Sequence, residues 1–175
     1  MGRLWLFVAA LGVLGLAACG GGAPDEPAPL GLDTISLPDD RESVLALFDS
    51  LPAAVGGLAR GESDPGRRLL VPYGPGKATY LSAAPLETIR SRPGDGPADV
   101  FAEIVESGVI GIEEEETSAS ARVVYVLAAT VEEGRNSYVA SWADPDGEWV
   151  FAAQAFTPEQ RAALIEAFVA AAASL

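Results

Sequence analysis

The chain lacks histidine and has a single cysteine, and both features narrow the chemistry that it can perform. Histidine is the commonest general acid–base group and the usual transition-metal ligand, so neither function has its usual residue here. With Cys19 as the one thiol, no disulfide can form within the chain. No Gly-x-Ser-x-Gly nucleophile elbow is found, since the passage Gly61-Glu62-Ser63-Asp64-Pro65 ends in proline. We therefore expect no catalytic residues, no metal site, no cofactor and no enzymatic activity.

Basic residues are also scarce, and the formal net charge of the chain is −14. Such an excess of acid disfavours binding to nucleic acid or to anionic headgroups, so we expect no nucleic-acid partner. The densest acidic run, Glu113 to Glu116, lacks the ligand spacing of a calcium loop. It predicts a solvated loop or a charged edge strand that prevents sheet aggregation. A calcium site and a patch for a basic partner are the alternatives.

The first residues carry the most specific pattern in the sequence. Arg3 precedes an apolar run from Leu4 to Ala18. A helix of that length is about 22 Å long, shorter than a bilayer core of about 30 Å, so the run is typical of a signal-peptide core. The string Leu16-Ala17-Ala18-Cys19 closes it and resembles the lipobox of bacterial lipoprotein precursors. That resemblance implies lipid attachment to the sulfur of Cys19, cleavage before it, and acylation, for example with palmitate, of the new amino terminus. A plain secretory signal with a stray cysteine is the alternative.

Composition divides the chain into three parts. Residues 1–18 form the predicted lipoprotein signal peptide, and residues 19–29 form a tether of glycine, proline and acid that has no means of building a core. Residues 30–175 are enough for one domain with a hydrophobic core. We expect this domain to be lipid-anchored at the extracytoplasmic face of the cell membrane or outer membrane, in the cell envelope.

Hydrophobic periodicity predicts an α+β fold for that domain. Apolar residues at helical spacing follow Pro38, a second helix begins at Pro97, and Thr157-Pro158-Glu159-Gln160 begins a C-terminal helix that runs to about Ser174. Two strands flank the turn at residues 74–77, and three strands joined by short links form an antiparallel meander between residues 121 and 156. The prediction is an antiparallel sheet of about five strands, with the C-terminal helix on one face and the earlier helices on the other.

Three passages carry a resemblance of architecture. They are the helix start Leu37-Pro38-Asp39-Asp40, the hairpin from Trp142 to Trp149, and the closing helix from Thr157 to Phe168. Together they resemble the small PsbP-like α/β/α domains and a class of uncharacterised actinobacterial-type lipoproteins. The resemblance implies a fold and a cellular setting, and it assigns no site residues.

Three hypotheses for function remain. The first is a membrane-tethered, non-enzymatic protein-interaction module that docks to another envelope protein. The alternative is a binder of a small apolar ligand or lipid between the sheet and a helix, and the third is a carboxylate-only hydrolase, which needs only two acids. A continuous internal cavity favours the ligand, a filled core with an exposed aromatic patch favours the partner, and two close carboxylates in a pocket favour the hydrolase. Trp142 and Trp149 form such a patch if exposed and belong to the core if buried.

The lipobox interpretation makes a direct prediction. Cys19→Ser removes the sulfur that would carry the diacylglyceryl group, so lipid labelling should disappear and uncleaved precursor should accumulate. Labelled palmitate fed to the producing bacterium and followed by electrophoresis measures both effects. Palmitate incorporation into the Cys19→Ser chain would contradict the interpretation.

Overall fold

The computed structural model describes residues 29–66, 68–106, 112–119, 123–132 and 135–175. The predicted signal peptide and lipobox, with the tether up to residue 28, lie outside these ranges. The helices are α1 (Arg41–Ser50), α2 (Pro97–Glu106) and α3 (Pro158–Ala172). The strands are β1 (Ala54–Val55), β2 (Leu58–Ala59), β3 (Asp64–Pro65), β4 (Leu69–Pro72), β5 (Tyr80–Pro85), β6 (Ile112–Ala119), β7 (Val124–Glu132), β8 (Arg135–Ala143) and β9 (Trp149–Ala155). Within these ranges no helix combines the length and the hydropathy that a membrane span requires.

One antiparallel sheet organises the domain, with the strand order β3-β4-β5-β9-β8-β7-β6, while β1 and β2 form a separate small hairpin. The α+β class and the antiparallel meander of β7, β8 and β9 are as predicted. The predicted count of about five strands is too low, because β3 and β6 extend the two edges. Glutamates are poor strand formers and give β6 no alternating pattern, so its sequence left a solvated loop and a charged edge strand as alternatives. The backbone of Glu113–Glu116 lies in this edge strand, in agreement with the charged-edge interpretation.

Two helices share one face of the sheet, which we call the core face and which bears Tyr125, Trp142 and Phe151. The apolar stripe of α1 joins that of α3 in a single cluster with these residues. The prediction that all earlier helices lie opposite the C-terminal helix is therefore wrong for α1 and right for α2. The reason is physical: an amphipathic stripe shows that a helix is buried on one side, but not which face of a sheet it covers.

Three aromatic rings hold α3 on the core face. The Phe168 centroid lies 4.9 Å from that of Trp142, edge to face, and 5.1 Å from that of Phe151. All three side chains are at most 1 % exposed. Trp149 is buried too, so the core interpretation of both tryptophans is confirmed. Trp142 is paired across the strands with Phe151 and not with Trp149.

The turn between β8 and β9 explains why a glycine stands at position 147. The Gly147 amide donates to the Asp144 carbonyl at 3.0 Å, and the Asp146 amide donates to Asp144 Oδ1 at 2.9 Å. Gly147 does not have a positive φ, so a left-handed backbone is not the reason for the glycine. A Cβ at this position would instead lie 2.9 Å from the Cβ of Asp144, closer than real Cβ atoms come.

Side chains satisfy both ends of α1. Asp40 is the N-cap and accepts hydrogen bonds from the Ser43 amide at 2.9 Å and the Ser43 hydroxyl at 2.6 Å. At the other end the Arg60 guanidinium donates to the carbonyls of Leu51 at 2.7 Å and Phe48 at 3.0 Å. A cation at a helix C-terminus also complements the dipole, so Arg60 ties α1 to the segment that follows β2.

The predicted N-terminus of the last helix is confirmed. Thr157 is its N-cap and accepts a hydrogen bond from the Gln160 amide at 3.2 Å, and Pro158 occupies the first helical position. The same cap lowers the pKa of Glu159, through that residue's own amide and the Thr157 hydroxyl. The start of α3 is therefore fixed by local chemistry, which is why the sequence alone located it.

Removing the central ring should destabilise the domain strongly. Because Phe168 is fully buried, Phe168→Ala should lower the free energy of unfolding by about 3–5 kcal/mol through lost burial and a residual cavity. Denaturant unfolding of the purified protein measures the change.

Glu166 supplies the control on the outer side of the same helix. It is exposed, so Glu166→Ala should change the free energy of unfolding by no more than about 0.5 kcal/mol. A wild-type midpoint for Phe168→Ala would show that α3 does not close the core.

Candidate functional site

The second face of the sheet, which we call the cleft face, is covered less completely. Helix α2 lies over β6, β7 and β8 on this side. Its buried residues Val100 and Phe101 form a small cluster with Leu86 and with apolar residues of β7, β8 and β9. Beside α2, strands β5 and β9 present the rest of the cleft face.

A cleft of about 630 Å³ lies between α2 and this part of the sheet. Its floor contains Ser82 and Ala84 of β5 with Val150 and Ala152 of β9, and its helical wall contains Phe101. This volume lies within the range of about 300–1,000 Å³ that is typical of small-molecule sites. The cleft is open to solvent, so a ligand would not need the core to unfold in order to enter it.

Strand register explains why the floor is concave. Ala152 is paired with Ser82 on one side and with Ser141 on the other, so three small residues lie in one row across β5, β9 and β8. Each side chain points to the cleft face, because the large residues beside it in its strand point to the core face. Small side chains in a row leave room between the sheet and α2.

Arg68 provides the positive charge of this site. Its Nη2 atom donates to Ser82 Oγ at 3.0 Å and makes a longer contact of 3.4 Å with the Tyr80 hydroxyl. The guanidinium carbon also lies 5.5 Å from the centroid of the Tyr80 ring, and that hydroxyl in turn donates to Gln154 Oε1 at 2.8 Å. Among the described residues no carboxylate comes within ion-pair distance of Arg68.

A carboxylate lies on the helical side of the same cleft. Glu103 belongs to α2 and is half-buried, whereas Arg68 precedes β4. The site therefore combines an apolar floor, hydroxyls of Ser82 and Ser141, and one charge of each sign. Such a lining suits a ligand that is largely apolar with one polar end.

A second depression gathers several acids near the start of α1, including Asp39, Asp40 and Glu148. Asp39 Oδ1 accepts a hydrogen bond from the Glu148 amide at 2.7 Å, and Asp40 caps α1. Hydrogen bonds from the Ser43 hydroxyl and amide hold the pKa of Asp40 below its ordinary value, so this carboxyl stays ionised and is unsuited to donate a proton. The carboxylates of Asp39 and Asp40 therefore stabilise the fold through these hydrogen bonds.

The residues singled out in the sequence do not converge on a site. Trp142 and Trp149 are in the core, and Cys19 lies outside the described residues. The part of the chain that the structure describes contains no cluster of three or more metal-ligating side chains. Its large exposed apolar residues are Ile89, Phe156 and Leu175, of which Ile89 lines the cleft.

Sequence reasoning missed the cleft residues. The only signal was the occurrence of small residues at alternate positions of two strands, such as Ser82 with Ala84 and Ala152 beside Phe151. This signal has meaning only when the register of β5 against β9 is known, because register decides which small residues become neighbours.

Comparison with known proteins adds no assignment. No family model, no curated protein and no solved structure matches the chain. The resemblance to PsbP-like domains and to bacterial lipoprotein precursors therefore stays a prediction from the sequence.

Proposed function

We propose that this chain is a lipid-anchored envelope protein that binds a small, largely apolar ligand in the cleft between the sheet and α2. The observation that carries the proposal is the cleft itself, with Ala84, Val150, Ala152 and Phe101 among its lining residues. This was the alternative hypothesis from the sequence. We now favour it over the hypothesis of a protein-interaction module.

The burial of both tryptophans of the β8–β9 hairpin counts against the protein-interaction hypothesis. An exposed aromatic patch would have favoured it. Among the described residues, the large exposed apolar side chains come from three separate segments: Ile89, Phe156 and Leu175. Docking surfaces on soluble domains are usually contiguous apolar patches of a few hundred Å² or more.

The anchor belongs to the same proposal. A lipid on Cys19, followed by the tether of residues 19–29, would hold the domain near the membrane from which an apolar ligand could be taken. The whole chain has a net charge of −14, and such an excess of acid would keep the domain from lying flat on anionic headgroups. In this proposal the protein is attached to the membrane through the lipid on Cys19 and not through the surface of the domain.

We further propose that the protein performs no catalysis. A carboxylate-only hydrolase needs one acid with a raised pKa beside a second ionised acid. The acids gathered near the start of α1 include Asp39 and Asp40, which are engaged in hydrogen bonds to backbone amides, and the pKa of Asp40 is lowered. We therefore propose that the cleft binds its ligand without catalysing a reaction on it.

Filling the floor of the cleft should weaken binding of an apolar ligand. Ala152→Leu adds three carbon atoms to a partly exposed floor residue, so it should weaken binding of the neutral fluorescent probe N-phenylnaphthylamine by at least about tenfold, or 1.4 kcal/mol. Fluorescence titration of the purified protein measures the dissociation constant.

Ala170→Leu provides the matched control. Ala170 is exposed on α3, which lies on the opposite face of the sheet, so the same addition there should leave the dissociation constant within about twofold. Unfolding midpoints show that both variants are folded. Equal probe binding by the wild type and Ala152→Leu, or no saturable binding by the wild type, would overturn the proposal.

A further inference from the structure

We propose that the ligand of the cleft is a single-chain amphiphile with one anionic group, such as a fatty carboxylate, whose head is bound by Arg68. This inference rests on the proposed function, because it names the chemistry of the ligand in the same cleft. It also gives the ligand an orientation, with the head toward β4 and the apolar chain toward α2.

Arg68 is exposed, and its guanidinium already has partners in the sheet before any ligand arrives. Its Nη2 atom donates to Ser82 Oγ at 3.0 Å, and Tyr80 lies against it. Ser82 is only 2 % exposed, so the hydroxyl that positions the guanidinium is itself fixed in the sheet. Such preorganisation reduces the entropy lost on binding.

Arg68 keeps donors for a ligand. A guanidinium has five N–H groups, and no described residue accepts from its Nε or Nη1 atoms. Nor does a described carboxylate come within ion-pair distance of Arg68. The planar fork matches the two oxygens of a carboxylate, and hydrogen bonds between ionised groups are about twice as strong as neutral ones.

The opposite wall favours a ligand with a single anionic group. Glu103 lines the cleft from α2, where it would repel a second anion on the ligand. The same cleft is lined by Ala84 and Val150 on the floor and by Phe101 on the wall, which suit an alkyl chain. The charge pattern therefore favours an anionic end at Arg68 and an uncharged tail.

The test compares dodecanoate with dodecanol, which shares its chain length and lacks the charge. Calorimetric titration of the purified protein, with dodecanoate below its critical micelle concentration and dodecanol below its solubility limit, should give a dissociation constant at least about tenfold lower for dodecanoate. Arg68→Met should remove this preference and leave dodecanol binding within about twofold, because the apolar floor is unchanged. Raising the salt concentration should weaken dodecanoate binding and leave dodecanol binding the same.

Two further variants make the comparison specific. Arg41→Met removes the same charge from an exposed residue of α1 that does not line this cleft, so the dodecanoate preference should persist. Arg68→Lys keeps the charge and loses the planar fork, so it should retain part of the preference.

Each contrary outcome has a distinct meaning. Equal affinity of the wild type for both compounds would overturn the anionic head group while the proposed function stands. A preference for dodecanoate that survives Arg68→Met would overturn the assignment to Arg68. No binding of either compound, together with no binding of N-phenylnaphthylamine, would remove the proposed function and this inference with it.

Discussion

The packing of Phe168 against Trp142 and Phe151 determines which face of the sheet forms the core and which face carries the cleft. These rings fix α3 on the core face and fix which residues of β8 and β9 point toward it. Because side chains alternate along a strand, Ser141 and Ala152 must then point to the other face. A slip of one residue in either strand would bury small side chains and expose the aromatic rings. The cleft floor is thus a consequence of the same register that builds the core.

The two faces differ in how completely helices cover them. The core face receives α1, α3 and Leu32 from the 3₁₀ turn Pro29–Thr34, and its cluster is continuous. Caps at both ends of α1 hold that layer in place, with Asp40 at the start and Arg60 at the end. Among the described residues, one helix of ten residues covers the cleft face and leaves the cleft beside it. A ligand site on the less covered face lets the core stay closed while the site stays accessible.

Local chemistry made part of the fold predictable from the sequence. Thr157 and Pro158 fixed the start of α3, and Asp144 with Gly147 fixed the turn between β8 and β9. For β6 the sequence left a solvated loop and a charged edge strand as alternatives, because a run of glutamates carries no alternation of apolar and polar residues. The face chosen by α1 was predicted wrongly, because an apolar stripe does not specify its partner surface.

The cleft was less predictable than the fold for a definable reason. Its floor joins β5 to β9, which are far apart in the sequence, and Arg68 reaches it from before β4. Taken alone, each of these residues is unremarkable: a surface arginine, a strand serine, a strand alanine. Their convergence depends on long-range strand pairing, which is a property of tertiary structure and not of any local pattern.

An NMR titration with dodecanol tests the central claim most directly, because it locates a neutral apolar ligand whatever binds the head group. If the cleft is the site, backbone amide shifts should change at Ser82, Ala84, Val150 and Ala152 and saturate at one equivalent, while Ala170 stays unchanged. Shifts confined to the outer surface of α3 or to the neighbourhood of Phe156, or the absence of saturable shifts, would contradict the account.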